Sequence, residues 1–345
     1  MDAMTIDIPL LAIDVGRGTQ DVLVYAPGRP IENSTRCILP SPTVVVAEQI
    51  RRARGAGLPV FLEGYLMGGG ANVAAIREHL DAGLQVTATE EAAATIHDDP
   101  ARVRAMGVRI ADRAPPGAAQ IHTTDYMERE LRTALDLFAV EYPAALAAAV
   151  QDHGFSPHRS NRIRRFEMIE ERLDAGDWNL YSLIADPPPL EMTRMQAMRR
   201  QAPGALVIDT GPAALIGALC DPRVKAWAEK GIVLVNAGNG HTLCCTIQGE
   251  EICGIFEHHT GALDRERLQR HIGRLRDGSL TGKNIFDEGG HGAAVRRPLS
   301  GEGVVATGPN RRRLLPDAYQ AAAFGDMMLT GCFGLLQAWN RVRGI

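Results

Sequence analysis

Two stretches in opposite halves of this chain follow one pattern, LAIDVGRGTQDVLVY (Leu11 to Tyr25) and VLVNAGNGHTLCCTI (Val233 to Ile247). Each runs as an apolar strand, an acid or amide, a glycine, a basic or amide residue, a second glycine, a threonine shortly after, and a new strand. A lone Gly-x-Gly is common by chance. Its recurrence in the same strand, turn, strand setting argues for an internal duplication, which the fold must accommodate as two similar halves.

The chemistry of such a turn follows from its residues. Gly16 and Gly18 let the backbone approach a phosphate with no Cβ in the way, so that N–H groups converge on its oxygens. Thr19 adds a hydroxyl donor. Asp14, at the strand end, would hold Mg²⁺ directly or through water, and Arg17, between the glycines, would meet phosphate oxygens with two parallel N–H groups. The second turn offers Asn236, Gly238, Asn239, Gly240, His241 and Thr242 in the equivalent places. Taken singly, each turn reads better as a plain β-hairpin, where glycine and asparagine are preferred; the duplication reverses that preference in favour of the phosphate reading.

Around these turns the pattern is that of a layered α/β protein. The first half is expected to run as strands Pro9 to Val15 and Gln20 to Tyr25, a helix from Pro42 to Arg54, the strand PVFLEGY, a helix from Ala71 to Asp81 and the strand QVTATE. Further on come a helix from Tyr126 to Phe138, the apolar run AALAAAV and an arginine-dense helix from Ser160 to Leu173. The segment DPPPLE, Asp186 to Glu191, is the strongest linker signal, so the two domains are set at 1–190 and 191–345. The second half predicts the strand ALVIDTG, helices Pro212 to Leu219 and Pro222 to Glu229, and the strand IVLVNAG. After these follow a hairpin of LCCTIQ and EEICGIFE, a helix from Asp264 to Arg276, a Gly-rich loop over Gly278 to Gly292, the strand GVVATG and a helix from Ala318 to Val342.

A length of 345 residues suits two domains. The net charge of −4 gives no reason to expect nucleic acid or an anionic membrane as partner. No apolar window reaches the roughly 18 residues of a membrane span, and Asp2 and Asp7 stand where a signal peptide would be basic, so a cytoplasmic protein is expected. Cys37, Cys220, Cys244, Cys245, Cys253 and Cys332 are scattered without paired CxxC or CxxxCxxC spacing, which reads as buried thiols.

With these motifs the sequence resembles the actin, sugar-kinase and Hsp70-type ATPase superfamily. That resemblance implies two ribonuclease-H-like domains with a nucleotide in the cleft between them. IDVGRGTQD matches its first phosphate loop and VNAGNGHT its second, while GVVATGPNRR, Gly303 to Arg312, is the candidate adenosine loop with Gly308 as a nucleotide contact. AAAFGDMMLTGCFGLL matches the closing helix. Asn236 stands where many members carry an aspartate, and Thr307-Gly308-Pro309 where a double glycine is usual. More narrowly, QDHGF, VIDTGPAA, NAGNGHT, HHTG, ATGPNR and GDMMLTGCFGLL resemble, over nearly the whole chain, a prokaryotic family labelled as pyruvate formate-lyase activating enzyme. A glycyl-radical activase resembles radical-SAM enzymes and holds its cluster with three closely spaced cysteines, a spacing absent here.

Three further groups compete with plainer readings. Asp209 in VIDTG is, by the resemblance, a second Mg²⁺ contact or a base; it serves equally as a helix N-cap. Asp152 and His153 in QDHG end a buried strand, where α/β folds place their chemistry. The neighbouring Arg159, Arg162, Arg164 and Arg165 would bind an anion or form a solvated helix face. His258, His259 and His291 with Asp287 or Glu288 would suit a metal only if the fold brings them together, and loop histidines bonding backbone are the plainer alternative.

The expectation is therefore a cleft in which Gly16 to Thr19 and Gly238 to Thr242 clamp the phosphates of ATP around Mg²⁺ near Asp14, for hydrolysis or phosphoryl transfer to a small molecule. Asp209, Asp152 and His153 are the catalytic candidates. The alternatives are a binding or sensing protein without turnover, and an ATP-driven activator of a partner enzyme. Oligomeric state is left open.

Overall fold

A computed structural model describes residues 6–299, 301 and 303–344; Asp2 lies outside them. The chain begins with three antiparallel strands, β1 (Leu10–Val15), β2 (Thr19–Tyr25) and β3 (Thr35–Pro40). It then builds a separate parallel sheet from β4 (Val60–Gly64), β5 (Val86–Ala88), β6 (Arg109–Ile110) and β7 (Ala119–Thr123). The first sheet is completed afterwards by β8 (Ala145–Val150) and β9 (Leu206–Ile208), giving the order β3-β2-β1-β8-β9. β1 pairs antiparallel with β2 and parallel with β8, which pairs parallel with β9.

The second half repeats this plan. β10 (Ile232–Ala237), β11 (His241–Gln248) and β12 (Glu251–His259) form an antiparallel meander, with β13 (Gly292–Val295) added at its edge. β14 (Gly303–Thr307) and β15 (Tyr319–Gln320) lie parallel on the far side of β10, giving the order β13-β12-β11-β10-β14-β15. Three antiparallel strands followed by two parallel ones, with strand 1 central, is the ribonuclease-H-like arrangement. It occurs twice, and the actin-like ATPase fold is that duplication.

Burial explains why the central strands read as unbroken apolar runs. Both faces of the first sheet are covered: Leu10, Ala12 and Leu23 pack against the helix Thr330–Arg343, while Leu11, Ile13 and Val22 pack with Leu131, Leu135 and Met198. The second sheet is likewise enclosed, by Phe166, Ile169 and Leu173 of the helix Asn161–Ala175 on one side and Leu268, Ile272 and Leu275 of Arg265–Asp277 on the other. A strand covered on both faces has no polar side to alternate with.

Several expectations need correction. The C-terminal helix begins at Thr330 rather than Ala318, because Phe324 and Gly325 adopt positive φ (49° and 75°) and 319–320 extend as a strand. The glycine-rich 278–292 stretch contains a helix, Gly282–Asp287, opened by a capping box between Thr281 and Asn284. β3, β6, β7, β13 and β15 are further strands that the sequence pattern does not predict. The boundary set at 190 falls inside the first sheet's run of strands, since β9 at 206–208 belongs to that sheet and the helix Thr330–Arg343 packs back on β1 and β8. We propose that the passage between the two units lies after β9.

Candidate functional site

The parallel strands of both sheets end at one cleft of about 560 Å³, and in open α/β sheets ligands bind beyond the carboxyl ends of such strands. Asp14 near the end of β1, Gly16 and Arg17 in the turn and Thr19 at the start of β2 line it, as do Asp152 and His153 after β8. From the other sheet come Asn236, Gly238, Asn239, Gly240 and His241 after β10, and Gly308 after β14. The two Gly-x-Gly turns meet. A Cβ at Gly18 would stand 3.6 Å from Asn239 Nδ2, and one at Gly240 only 3.3 Å from Arg17 Cδ. Gly308, at φ 87°, leaves room for the end of β10, where a side chain would strike the Ala237 carbonyl at 2.6 Å. Asn310 donates to the Gly238 carbonyl (3.0 Å) and braces the second turn. Thr242 is fully buried, its hydroxyl bonded to that of Thr260 (2.9 Å), and does not line the cleft.

Asp14 faces Asp21 across the β1–β2 pair. Each carries a buried carboxylate Oδ1 without a hydrogen-bond partner. Burial, then Asp21 and Asp209, raises Asp14 well above the ordinary carboxylate range; burial pushes Asp21 up to about 7. Gly331, in the first turn of the helix Thr330–Arg343, makes this approach sterically possible, since a Cβ there would overlap Asp14 Oδ2 at 1.9 Å.

Asp209 stands elsewhere. It is the N-cap of the helix Thr210–Ala218, accepting from the Gly211 N–H (2.9 Å), and does not line the cleft. Its carboxylate is held by Arg165, which is 3% exposed and donates all five N–H groups: to Asp209 (2.7 and 3.0 Å), to Glu257 (2.6 and 2.7 Å) and to the Asp152 carbonyl (2.6 Å). The Asp152 N–H also reaches Oδ2 (3.2 Å), so each Asp209 oxygen already accepts two hydrogen bonds and none is turned to a metal ion. Asp152 lines the cleft, and its oxygens accept from the N–H groups of Gly154 (2.8 Å) and Met195 (3.0 Å). Burial raises its pKa against those two bonds.

Arg165 thus ties the tips of β8 and β9 to β12 of the other sheet. A second, partly buried arginine does the same for the inserted sheet: Arg194, which lines the cleft, donates to Asp125 (2.6 and 2.9 Å) and to the Gln151 carbonyl (2.6 Å). The Asp125 carboxylate in turn receives the Gly68 N–H (3.2 Å), holding the Gly68–Gly70 turn against the cleft. The remaining members of the arginine run are engaged away from the cleft. Arg159 and Arg164 pair with glutamates, and Arg162 donates to the Gly290 carbonyl (2.7 Å) over the Phe286 ring.

The histidines gather in a set the sequence did not single out. His153, His241 and His291 each offer a ring nitrogen within 4.8 Å of the others. His259 touches this cluster, its ring centroid 4.8 Å from His241 and 4.7 Å from His291, whereas His258 stacks on His271 instead. Burial lowers His153 well below the usual imidazole range, His241 to about 4 and His291 to about 3, so all three are neutral at pH 7. Burial alone would push Glu257 up, but Arg165 holds it well below the usual carboxylate range. Asp287 and Glu288 are outside the group, the former paired with Lys283 and the latter with Arg267. Among the described residues no cysteines join a comparable cluster.

The residues missed from sequence, Asp21, Arg194, Glu257 and Gly331, carry no local motif, and Arg165, expected to bind an anion or face solvent, is instead buried between two carboxylates. Only the partial alternation of β2, which puts Asp21 opposite Asp14, hinted at one of them.

No curated protein matches the sequence. Solved structures with which the chain aligns include an Aquifex aeolicus Ppx/GppA phosphatase, 12% identical over 88% of this chain and 68% of that one, with a TM-score of 0.30. An inorganic polyphosphate/ATP-glucomannokinase from Arthrobacter sp. strain KM is 12% identical over 97% and 98% of the two chains, with a TM-score of 0.35. An exopolyphosphatase from Cytophaga hutchinsonii is 11% identical over 87% and 66%, with a TM-score of 0.31. A family model matches residues 67–313, spanning most of the inserted sheet, the tips of β8 and β9, the second Gly-x-Gly turn and the histidine cluster. The chain therefore belongs to the family described as "Putative pyruvate format-lyase activating enzyme (DUF1786)".

Proposed function

We propose that this protein binds Mg-ATP in the cleft and acts as an ATP-dependent phosphotransferase or ATPase on a small molecule. The observation that carries the reading is the meeting of the two Gly-x-Gly turns, Arg17 against Gly240 and Gly18 against Asn239, at equivalent strand ends of two like sheets. Converging glycine turns present backbone N–H groups to phosphate oxygens from both sides. Arg17, which makes no ion pair among the described residues, is available to a phosphate.

The orphaned Oδ1 atoms of Asp14 and Asp21 fit a cation, since burial raises both carboxyls and Asp21 adds to the shift of Asp14, a cost that a positive charge would relieve. Asp14 and Asp21 would hold Mg²⁺ with retained waters. The ion's chemistry is to neutralise charge on the phosphates. Such transfer relies mainly on positioning and electrostatics. Asp152 is the base candidate, each of its oxygens keeping a lone pair after one backbone bond. Asp209 acts through Arg165 as a positioning residue.

The engagement of Asp209 favours one second reading, a nucleotide-binding or sensing protein without turnover. Thermal unfolding with Mg²⁺ plus ATP, ADP or a non-hydrolysable analogue separates the cases. A Mg²⁺-dependent rise in Tm, lost in Asp14→Asn with the fold retained, is expected, and no shift in the wild type would remove the nucleotide reading. A shift without phosphate release under any acceptor leaves the binding reading.

A further inference from the structure

We propose that His153, His241 and His291 form a binding site for one divalent transition-metal ion, distinct from the Asp14–Asp21 pair and open to the same cleft. The three side chains come from unrelated parts of the chain: the loop after β8, the first residue of β11, and the loop before β13. Yet their ring nitrogens converge within 4.8 Å of one another. Nitrogens bound at about 2.0–2.1 Å to a tetrahedral ion lie about 3.4 Å apart, so modest ring rotations bring the set to bonding distance.

Two independent observations point to a cation rather than to packed rings. His291, 2% exposed, has neither ring nitrogen hydrogen-bonded, and Nε2 of His241 is buried and unpartnered as well. Nitrogens of His79, His258 and His271 are unpartnered too, but among the described residues only those of His153, His241 and His291 converge in a metal-sized set. The adjoining buried network also carries excess negative charge, because the single Arg165 guanidinium is shared between Asp209 and Glu257. Glu257 Oε2 lies 3.6 Å from His291 Nδ1, just beyond hydrogen-bond length, so a small rotation of the ring would let it accept from an imidazole whose other nitrogen holds the ion.

Three imidazoles and no thiolate suit zinc, iron, nickel or copper rather than magnesium. Three protein ligands also leave a coordination position for water or a substrate oxygen, and His153 and His241 both line the cleft. As a ligand, His153 would have no free nitrogen pair for a base on that side, which leaves the base role to Asp152.

The test titrates tag-free, EDTA-treated full-length protein with Co²⁺ and, separately, Zn²⁺, following Co²⁺ ligand-field absorption and stoichiometry by equilibrium dialysis. One ion per chain with intensified absorption of four- or five-coordinate Co²⁺ is expected. His241→Ala and His291→Ala should each weaken binding by at least tenfold, while His258→Asn, outside the cluster, should leave it unchanged. Retention of the site in Asp14→Asn, in which Mg-nucleotide binding is lost, keeps this result separate from the fate of the nucleotide reading. Absence of stoichiometric binding in the wild type overturns the proposal, as does undiminished binding in folded His241→Ala and His291→Ala. If those two variants fail to fold by circular dichroism, His153→Asn on the loop after β8 decides by the same criterion.

Discussion

Arg165 shows how much one side chain decides here. It satisfies two buried carboxylates and a carbonyl from three strand ends, so its loss would leave Asp209 and Glu257 as uncompensated charges in the interior. Removing one partner of such a network costs about 3–5 kcal/mol. Arg165→Ala is expected to lower stability by that amount in urea denaturation, and Arg165→Lys to recover little of it, since an ammonium cannot reproduce two forked contacts. A second residue-scale prediction concerns pH. His79 is fully buried in the helix Ala71–Asp81, and burial lowers its pKa. The unfolded chain therefore takes up this proton first, and stability falls as pH drops through the unfolded value of about 6.5 towards the folded one. His79→Leu should flatten the curve of Tm against pH below 7; an unchanged slope would show that other groups set it.

At the scale of elements, the decisive contact is between the helices Thr210–Ala218 and Thr330–Arg343. A Cβ at Gly217 would lie 1.8 Å from the Thr330 carbonyl oxygen, and one at Gly334 1.8 Å from that of Ala213. The helices approach backbone to backbone, with no flexible side chain to give way. Gly217→Ala and Gly334→Ala should each cost at least about 1–3 kcal/mol, the usual range for overpacking, measured by the denaturation midpoint. A neutral result for both would mean that the helices slide apart freely. The same close packing places Gly331 beneath Asp14. A glycine-rich helix start therefore serves the cleft as well as the core, which the apolar periodicity of 330–343 does not reveal.

Across the whole molecule, three sheets converge on one cleft, and Arg165 and Arg194 tie their loops together. A ligand held by both Gly-x-Gly turns would order both halves at once. Hydrogen exchange with saturating Mg-ATP is expected to slow residues 16–19 and 238–242 together; protection of one turn alone would contradict a clamp. At a hundredfold excess over Kd, binding to the native state alone adds about 2.7 kcal/mol to stability, which the urea midpoint would register.

Strand patterning and turn chemistry are local and leave a mark every few residues, so the strands around each turn, the duplication and the glycine spacing are legible in the sequence. The repeat marks Asp14, Gly16, Arg17, Asn236 and Gly240 as equivalent turn residues, and the superfamily resemblance implies the shared cleft that they line. Tertiary structure alone decided that Asp209 is an N-cap held by Arg165, that Asp21 is the carboxylate facing Asp14, and that His153, His241 and His291 converge. The physical reason is range. Side chains that meet from distant strand ends share no period, and their protonation and partners depend on burial that only the packed sheets create.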